Sequence, residues 1–326
     1  MHTLILDYMI STTWIHVFGI STRFENVRAV SYRLDPNKGA PALNLHRVSD
    51  ADSFAAVESE WREWDFLVSM AETWSEEGDL IYLLPHGSLH GLPLHLLQVS
   101  GRMLIERNMI AYAPSLSTLR LCQRRKEVSK SPARKVVVFG DSRGDLPSAS
   151  AEAVEIARLL GVNPMLGNRV TQEEVERAAV GASIVHFAGH GVLGATDPLD
   201  AGIALAEGKT LTARRIFEVG RFGSGLVVLS GCETGVNELK QGDELIGLTR
   251  ALFYAGASSL VASLWRVEDR ATAFLMSEFY SIIDAIPELS ISNALRQAAL
   301  KTRANKEWAS AFFWGPFVLI GSSSLN

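Results

Sequence analysis

Residues 184–191, Ile-Val-His-Phe-Ala-Gly-His-Gly, and residues 227–235, Val-Val-Leu-Ser-Gly-Cys-Glu-Thr-Gly, decide how this chain folds. Each is a short apolar run that stops in a glycine-flanked reactive residue, and each reads as a buried strand. In open parallel sheets, reactive groups collect where strands end at their carboxyl side. Two neighbouring strands of this kind would bring His190 and Cys232 to one rim.

The chemistry of that pair is specific. A thiol with a pKa of about 8.5 holds little thiolate at neutral pH, and an adjacent imidazole that accepts its proton makes it a nucleophile. The same imidazole can then protonate a leaving amine. Gly191 and Gly231 put no side chain in the way of a substrate, and the N–H groups of Gly191 and Cys232 could stabilise an oxyanion. A cysteine at a strand end is more often a small buried hydrophobe, and a single histidine more often structural. The pair with its glycines points to a Cys–His dyad, and the sequence offers no third catalytic carboxylate beside it.

Outward from these strands the pattern is α/β. Val136–Phe139, Ser183–Ala188, Leu226–Leu229 and Ser259–Leu264 are apolar strands. Helices are expected near Ala151–Leu160, Gln172–Val180, Asp243–Tyr254, Arg270–Ile283 and Ser290–Thr302, before a closing strand at Phe312–Ile320. Alternation of this kind predicts a mostly parallel sheet with helices on its faces. Ahead of it, Leu4–Ile10, Thr13–Ile20 and Val27–Tyr32 read as a β meander, Asp52–Ser75 as a helical stretch, and Leu80–Leu84 as a buried strand. Gln123–Lys135 carries six cations and almost no apolar side chain, which reads as a linker. The boundary falls there, with one unit over residues 1–130 and a second over 131–326.

Composition narrows the function. A net charge of −5 leaves no basic excess to neutralise phosphates, which excludes a nucleic-acid binder. Apolar runs stop short of the ~18 residues that suggest a membrane span. Two cysteines make neither a disulfide framework nor a Cys-based zinc site, so a reducing cytoplasm is the expected compartment and no metal or cofactor is expected.

Three other stretches resemble functional motifs. Gly140-Asp-Ser-Arg-Gly144 has the spacing of a serine nucleophile elbow, but the helix that should follow the serine starts too late. Gly202–Thr210 resembles a phosphate loop one residue too long, on what reads as a hairpin. His86, His90 and His95 have no acid close in sequence and are expected in structural roles.

The ordered set Leu83-Leu-Pro-His-Gly-Ser-Leu-His-Gly-Leu-Pro93, Tyr112-Ala-Pro-Ser115, His186–Gly191, Leu229–Gly235, Gly242–Leu248, Ala255-Gly-Ala257 and Val261–Asp269 resembles a CHAT domain, the caspase-like protease domain often appended to tetratricopeptide repeats. The resemblance implies a caspase-like fold, with a pseudo-caspase half followed by an active half. It maps the catalytic histidine to His190 rather than His186, and the nucleophile to Cys232. It implies a cysteine endopeptidase acting on a protein substrate and controlled by a regulatory protein partner or by processing. The alternative is a catalytically silent interaction module in a signalling or defence complex. Leu264–Asp269 is similar to a Leu-Trp and acidic turn near the substrate pocket of separase. Glu233, Asp243, Glu268 and Asp269 are the candidate substrate-binding acids, with Asp269 foremost. Helix-capping roles compete for several of them. An acid further along the same helix would have to sit where the chain has Ala271, Thr272 and Ala273.

Overall fold

Period-two alternation starts the sheet. In β1 (Thr3–Ile10) Leu4, Leu6 and Tyr8 turn inward, and in β2 (Trp14–Ser21) Ile15 and Val17 do the same. β3 (Arg28–Arg33) completes the antiparallel meander at the sheet edge. The computed structural model describes residues 2–35, 48–128, 134–192, 194, 197–223, 225–231, 244–266, 268–286 and 288–324. Cys232, Glu233 and Asp243 lie outside the described residues.

The expected helix over 52–75 is divided. α1 (Ala51–Trp61) is capped by Asp50, a 3₁₀ segment covers Arg62–Val68, and α2 (Ala71–Trp74) ends the run. The buried strand β4 (Leu80–Leu84) follows, then the small hairpin β5 (Gln98–Val99) and β6 (Arg102–Met103), α3 (Leu104–Arg107) and β7 (Met109–Tyr112). α4 (Leu116–Val128) takes in the first part, Gln123–Val128, of the basic segment read as a linker. Its Arg125 donates to the Phe253 carbonyl, while further on Arg134 pairs with Asp284 at 3.0 Å and Lys135 reaches the Val180 carbonyl at 2.7 Å. These cations clamp the chain onto neighbouring elements, a tertiary role that composition does not reveal.

The second part alternates regularly. β8 (Val136–Gly140), α5 (Pro147–Leu159), β9 (Met165–Leu166), α6 (Gln172–Ala179) and β10 (Ile184–Ala188) lead to a three-stranded sheet of β11 (Gly191–Val192), β12 (Gly202–Ala204) and β13 (Thr210–Thr212). Then come α7 (Ala213–Val219), β14 (Leu226–Leu229), α8 (Glu244–Tyr254), β15 (Ser259–Ser263), α9 (Asp269–Ala285) and α10 (Ile291–Ala304). The expected closing strand begins later than its apolar run, because α11 (Ala311–Trp314) uses the first residues and β16 is Phe317–Gly321.

The main sheet has eleven strands in the order β3-β2-β1-β4-β7-β16-β15-β14-β10-β8-β9. Antiparallel pairs occur in the meander and at β15/β16, and the remaining neighbours are parallel. β16 therefore joins the strands of the first part to those of the second, pairing with β7 on one side and β15 on the other. Trp265 fastens the two parts on one face. It is 1% exposed, its ring lies 5.4 Å from Phe54 and 6.4 Å from Trp61 of α1, and its indole donates to the Phe312 carbonyl at 3.1 Å. The Trp of the Leu-Trp pair is thus a core anchor, while Leu264 before it is half-buried and lines a separate cavity with Tyr112 and Val318.

Candidate active site

β8, β10 and β14 run parallel and in register, so their carboxyl ends share one rim. His190 follows β10 by two residues, and Ser230 and Gly231 follow β14 directly. The two chain ends touch here: a Cβ built on Gly231 would lie 1.6 Å from the Gly189 carbonyl oxygen. Only glycine allows this approach, and Gly231 is the residue immediately before Cys232.

The imidazole of His190 is mostly buried, and its Nε2 lies 2.9 Å from Asp145 Oδ1. Sequence reasoning missed this third carboxylate. Its position follows from the loop that joins β8 to α5. Asp141 adopts a left-handed φ of 44° and donates its N–H to the Ala188 carbonyl at 2.8 Å, which ties the loop to the end of β10. The Asp141 side chain then accepts from Leu146 N at 3.0 Å and from Ser150 Oγ at 2.9 Å. This folds residues 142–145 back over the rim. Ser142, the candidate elbow serine, is buried and donates to the Ala204 carbonyl at 2.7 Å, so it does not serve as a nucleophile there.

With Nε2–H donating to Asp145, Nδ1 carries the lone pair that can take a proton. Gly191 is placed by the small sheet. Ala204 donates to the His190 carbonyl at 2.9 Å, so alternation along the ladder turns the Gly191 N–H away from β12. That orientation leaves it outside the ladder bonds, as an oxyanion donor requires.

A cleft of about 290 Å³ opens beside Gly189 and Gly231, lined also by Leu146, Ala149, Glu152 and Asp269. Asp269 opens α9, and Thr272, one turn on, lines the same cleft. Glu268 is the N-cap of α9, accepting from Ala271 N at 2.8 Å, and so takes the capping alternative. Glu152 was also missed. The signal was present: it lies in the inward stripe of α5 with Ala153, Ile156 and Ala157, a charged residue among buried apolar positions. His186 is fully buried within β10, whereas His190 stands beyond the strand at the rim.

A sheet of this order with a histidine and a Ser-Gly turn at one rim defines a caspase-like fold. Solved structures agree. The chain is similar to gingipain R, an Arg specific cysteine proteinase, with a TM-score of 0.58 and 13% identity, covering 85% of this chain and 69% of that one. It is also similar to the Saccharomyces cerevisiae separase–securin complex, with a TM-score of 0.53 and 15% identity over 84% of this chain and 17% of that one. The family model of the CHAT domain matches residues 69–322, and the chain belongs to the CHAT domain family. Tetratricopeptide repeat protein 28 of Homo sapiens is 28% identical over 300 residues, and that of Mus musculus 28% over 297. The chain spans about 12% of the length of these relatives. Among the described residues, no helix is long and apolar enough to cross a membrane.

Proposed function

We propose that the protein is a cysteine endopeptidase with Cys232 as nucleophile and His190 as general base and acid. The observation that carries this reading is the joined rim, where His190 is oriented by Asp145 and Gly231 is pressed against Gly189. Cys232 passes its proton to His190 Nδ1 and attacks the scissile carbonyl, and the N–H groups of Gly191 and Cys232 stabilise the oxyanion. His190 protonates the leaving amine as the C–N bond breaks. Water then hydrolyses the thioester, giving its proton to His190, which returns it to the thiolate.

The cleft beside Gly231 receives the side chain that precedes the scissile bond. Its acids favour a basic side chain there. Asp269, at the start of α9 on the wall of the cleft, is the recognition carboxylate, and Glu233 and Asp243 remain secondary candidates from the sequence. Glu268, committed to its cap, is not. A peptide-library digest tests both statements. Cleavage after Arg or Lys is expected with the wild type. Loss of that preference in Asp269→Asn, with retained cleavage, is expected for the pocket. Equal cleavage by Cys232→Ala would refute the nucleophile. An intact protein that neither cuts nor is labelled at Cys232 by peptidyl electrophiles would instead support the silent interaction module.

A further inference from the structure

Beneath the rim lies a buried polar network that the reaction scheme leaves unused. Glu152 is 5% exposed, Ser230 2%, and His186 and Tyr280 are fully buried. Ser230 Oγ donates to Glu152 Oε1 at 2.5 Å and also lies 3.2 Å from the Phe187 carbonyl. His186 Nε2 is 3.1 Å from the same Glu152 oxygen, and His186 Nδ1 is 3.1 Å from the Tyr280 hydroxyl. One proton assignment serves the three shortest contacts: Tyr280 O–H donates to Nδ1, while Nε2–H and the Ser230 hydroxyl both donate to the carboxylate, and the Phe187 carbonyl is served by the Ser230 N–H. Glu152 is the side-chain acceptor on which the set depends, because both the Ser230 hydroxyl and His186 Nε2–H converge on its carboxylate.

We infer that Glu152 is a positioning residue for Cys232, acting through Ser230; the inference rests on the peptidase reading above. Ser230 is held from two directions. Its N–H donates to the Phe187 carbonyl of β10 at 2.9 Å, and its hydroxyl is fixed by Glu152 of α5. Gly231 follows, seated against Gly189, and Cys232 comes next in the chain. The element β8–α5 thereby grips both halves of the dyad. Its loop sets His190 through Asp145, and its helix sets the strand end that leads to Cys232 through Glu152. A thiol two residues beyond Ser230 keeps its alignment with the imidazole only while that grip holds, since an ångström of misplacement costs far more in rate than in stability.

The test uses iodoacetamide, a small neutral thiol reagent that reads the Cys232–His190 pair without needing the substrate cleft. Alkylation of Cys232 is followed by mass spectrometry at pH 6 in the wild type, His190→Ala, Glu152→Gln, Glu152→Met and Ser230→Ala, with melting temperatures alongside. The wild type is expected to react faster than His190→Ala. Glu152→Gln keeps an acceptor oxygen and is expected to stay near the wild-type rate. Glu152→Met has similar volume without a strong acceptor and is expected to fall about tenfold towards the His190→Ala rate, as is Ser230→Ala. If wild type and His190→Ala react alike, the peptidase reading fails. If that acceleration is present but folded Glu152→Met and Ser230→Ala react like the wild type, the positioning role is overturned. Should Glu152→Met not fold, Ser230→Ala decides.

Discussion

Asp145 Oδ1 sits 2.9 Å from His190 Nε2, forty-five residues away along the chain and on the loop of the neighbouring strand. The contact puts a carboxylate against the imidazole and holds the ring in the tautomer whose Nδ1 can accept a proton. Asp145 is 57% exposed, so its influence is on orientation more than on charge. Asp145→Asn is expected to lower kcat about tenfold with KM little changed. Steady-state kinetics on a cleaved peptide checks this, and an unchanged kcat would reduce the contact to a surface pair.

The approach of Gly231 to Gly189 permits no side chain. Gly231→Ala is expected to push the two strand ends apart, with a stability loss of about 1–3 kcal/mol and a much larger proportional loss of turnover. Urea unfolding and peptide hydrolysis measured on the same preparation separate the two effects. Full turnover in the variant would show that the ends are not closely coupled.

His95 provides a pH signature that is independent of catalysis. Burial pushes its pKa down to about 4, and its ring bonds the Tyr112 hydroxyl at 2.8 Å and the Gly315 carbonyl at 2.7 Å. An unfolded histidine titrates near 6.5, so between about pH 6.5 and 4 the unfolded chain binds the extra proton. The stability due to a neutral His95 is present above pH 6.5 and falls by roughly 3 kcal/mol as pH drops to about 4. Urea midpoints from pH 4 to 7 should therefore slope more steeply for the wild type than for His95→Phe. Parallel curves would contradict the assignment.

Two acids side by side on α9 should behave differently. Glu268→Ala removes an N-cap and is expected to cost about 1 kcal/mol without altering cleavage preference. Asp269→Asn should change the preference and leave stability nearly as it was. Thermal melts and library digests on both variants check this, and an exchange of the two phenotypes would overturn the division of roles.

Trp265→Ala should cost about 3–5 kcal/mol, because it empties the joint between α1 and α11. Equilibrium unfolding measures it, and a loss below about 1 kcal/mol would show that the joint is not a packing anchor.

Strands whose neighbours cover both faces were legible, since continuous apolar runs such as Leu80–Leu84 and Leu226–Leu229 leave little choice. The rim position of His190 was legible for the same reason. Asp145 was not, because sheet order differs from chain order: β8 lies beside β10, and nothing local to Asp145 says so. Glu152 left a readable trace as an acid in an apolar helical stripe. The hairpin read around Gly202–Thr210 is the antiparallel pair β12–β13, whereas β11, two residues long, has no periodicity to read. In Gln123–Lys135, composition gave no sign that Arg125, Arg134 and Lys135 bond to neighbouring elements.

The central claim is a thiol made reactive by His190. Its most direct test is the pH dependence of Cys232 alkylation by iodoacetamide, mapped by mass spectrometry, in wild type and His190→Ala, with the fully buried Cys122 as internal reference. Cys232 in the wild type is expected to react well below pH 8, that reactivity to shift to the ordinary thiol range near 8.5 in His190→Ala, and Cys122 to stay unmodified in both. A Cys232 that titrates like a free thiol in both proteins would contradict it.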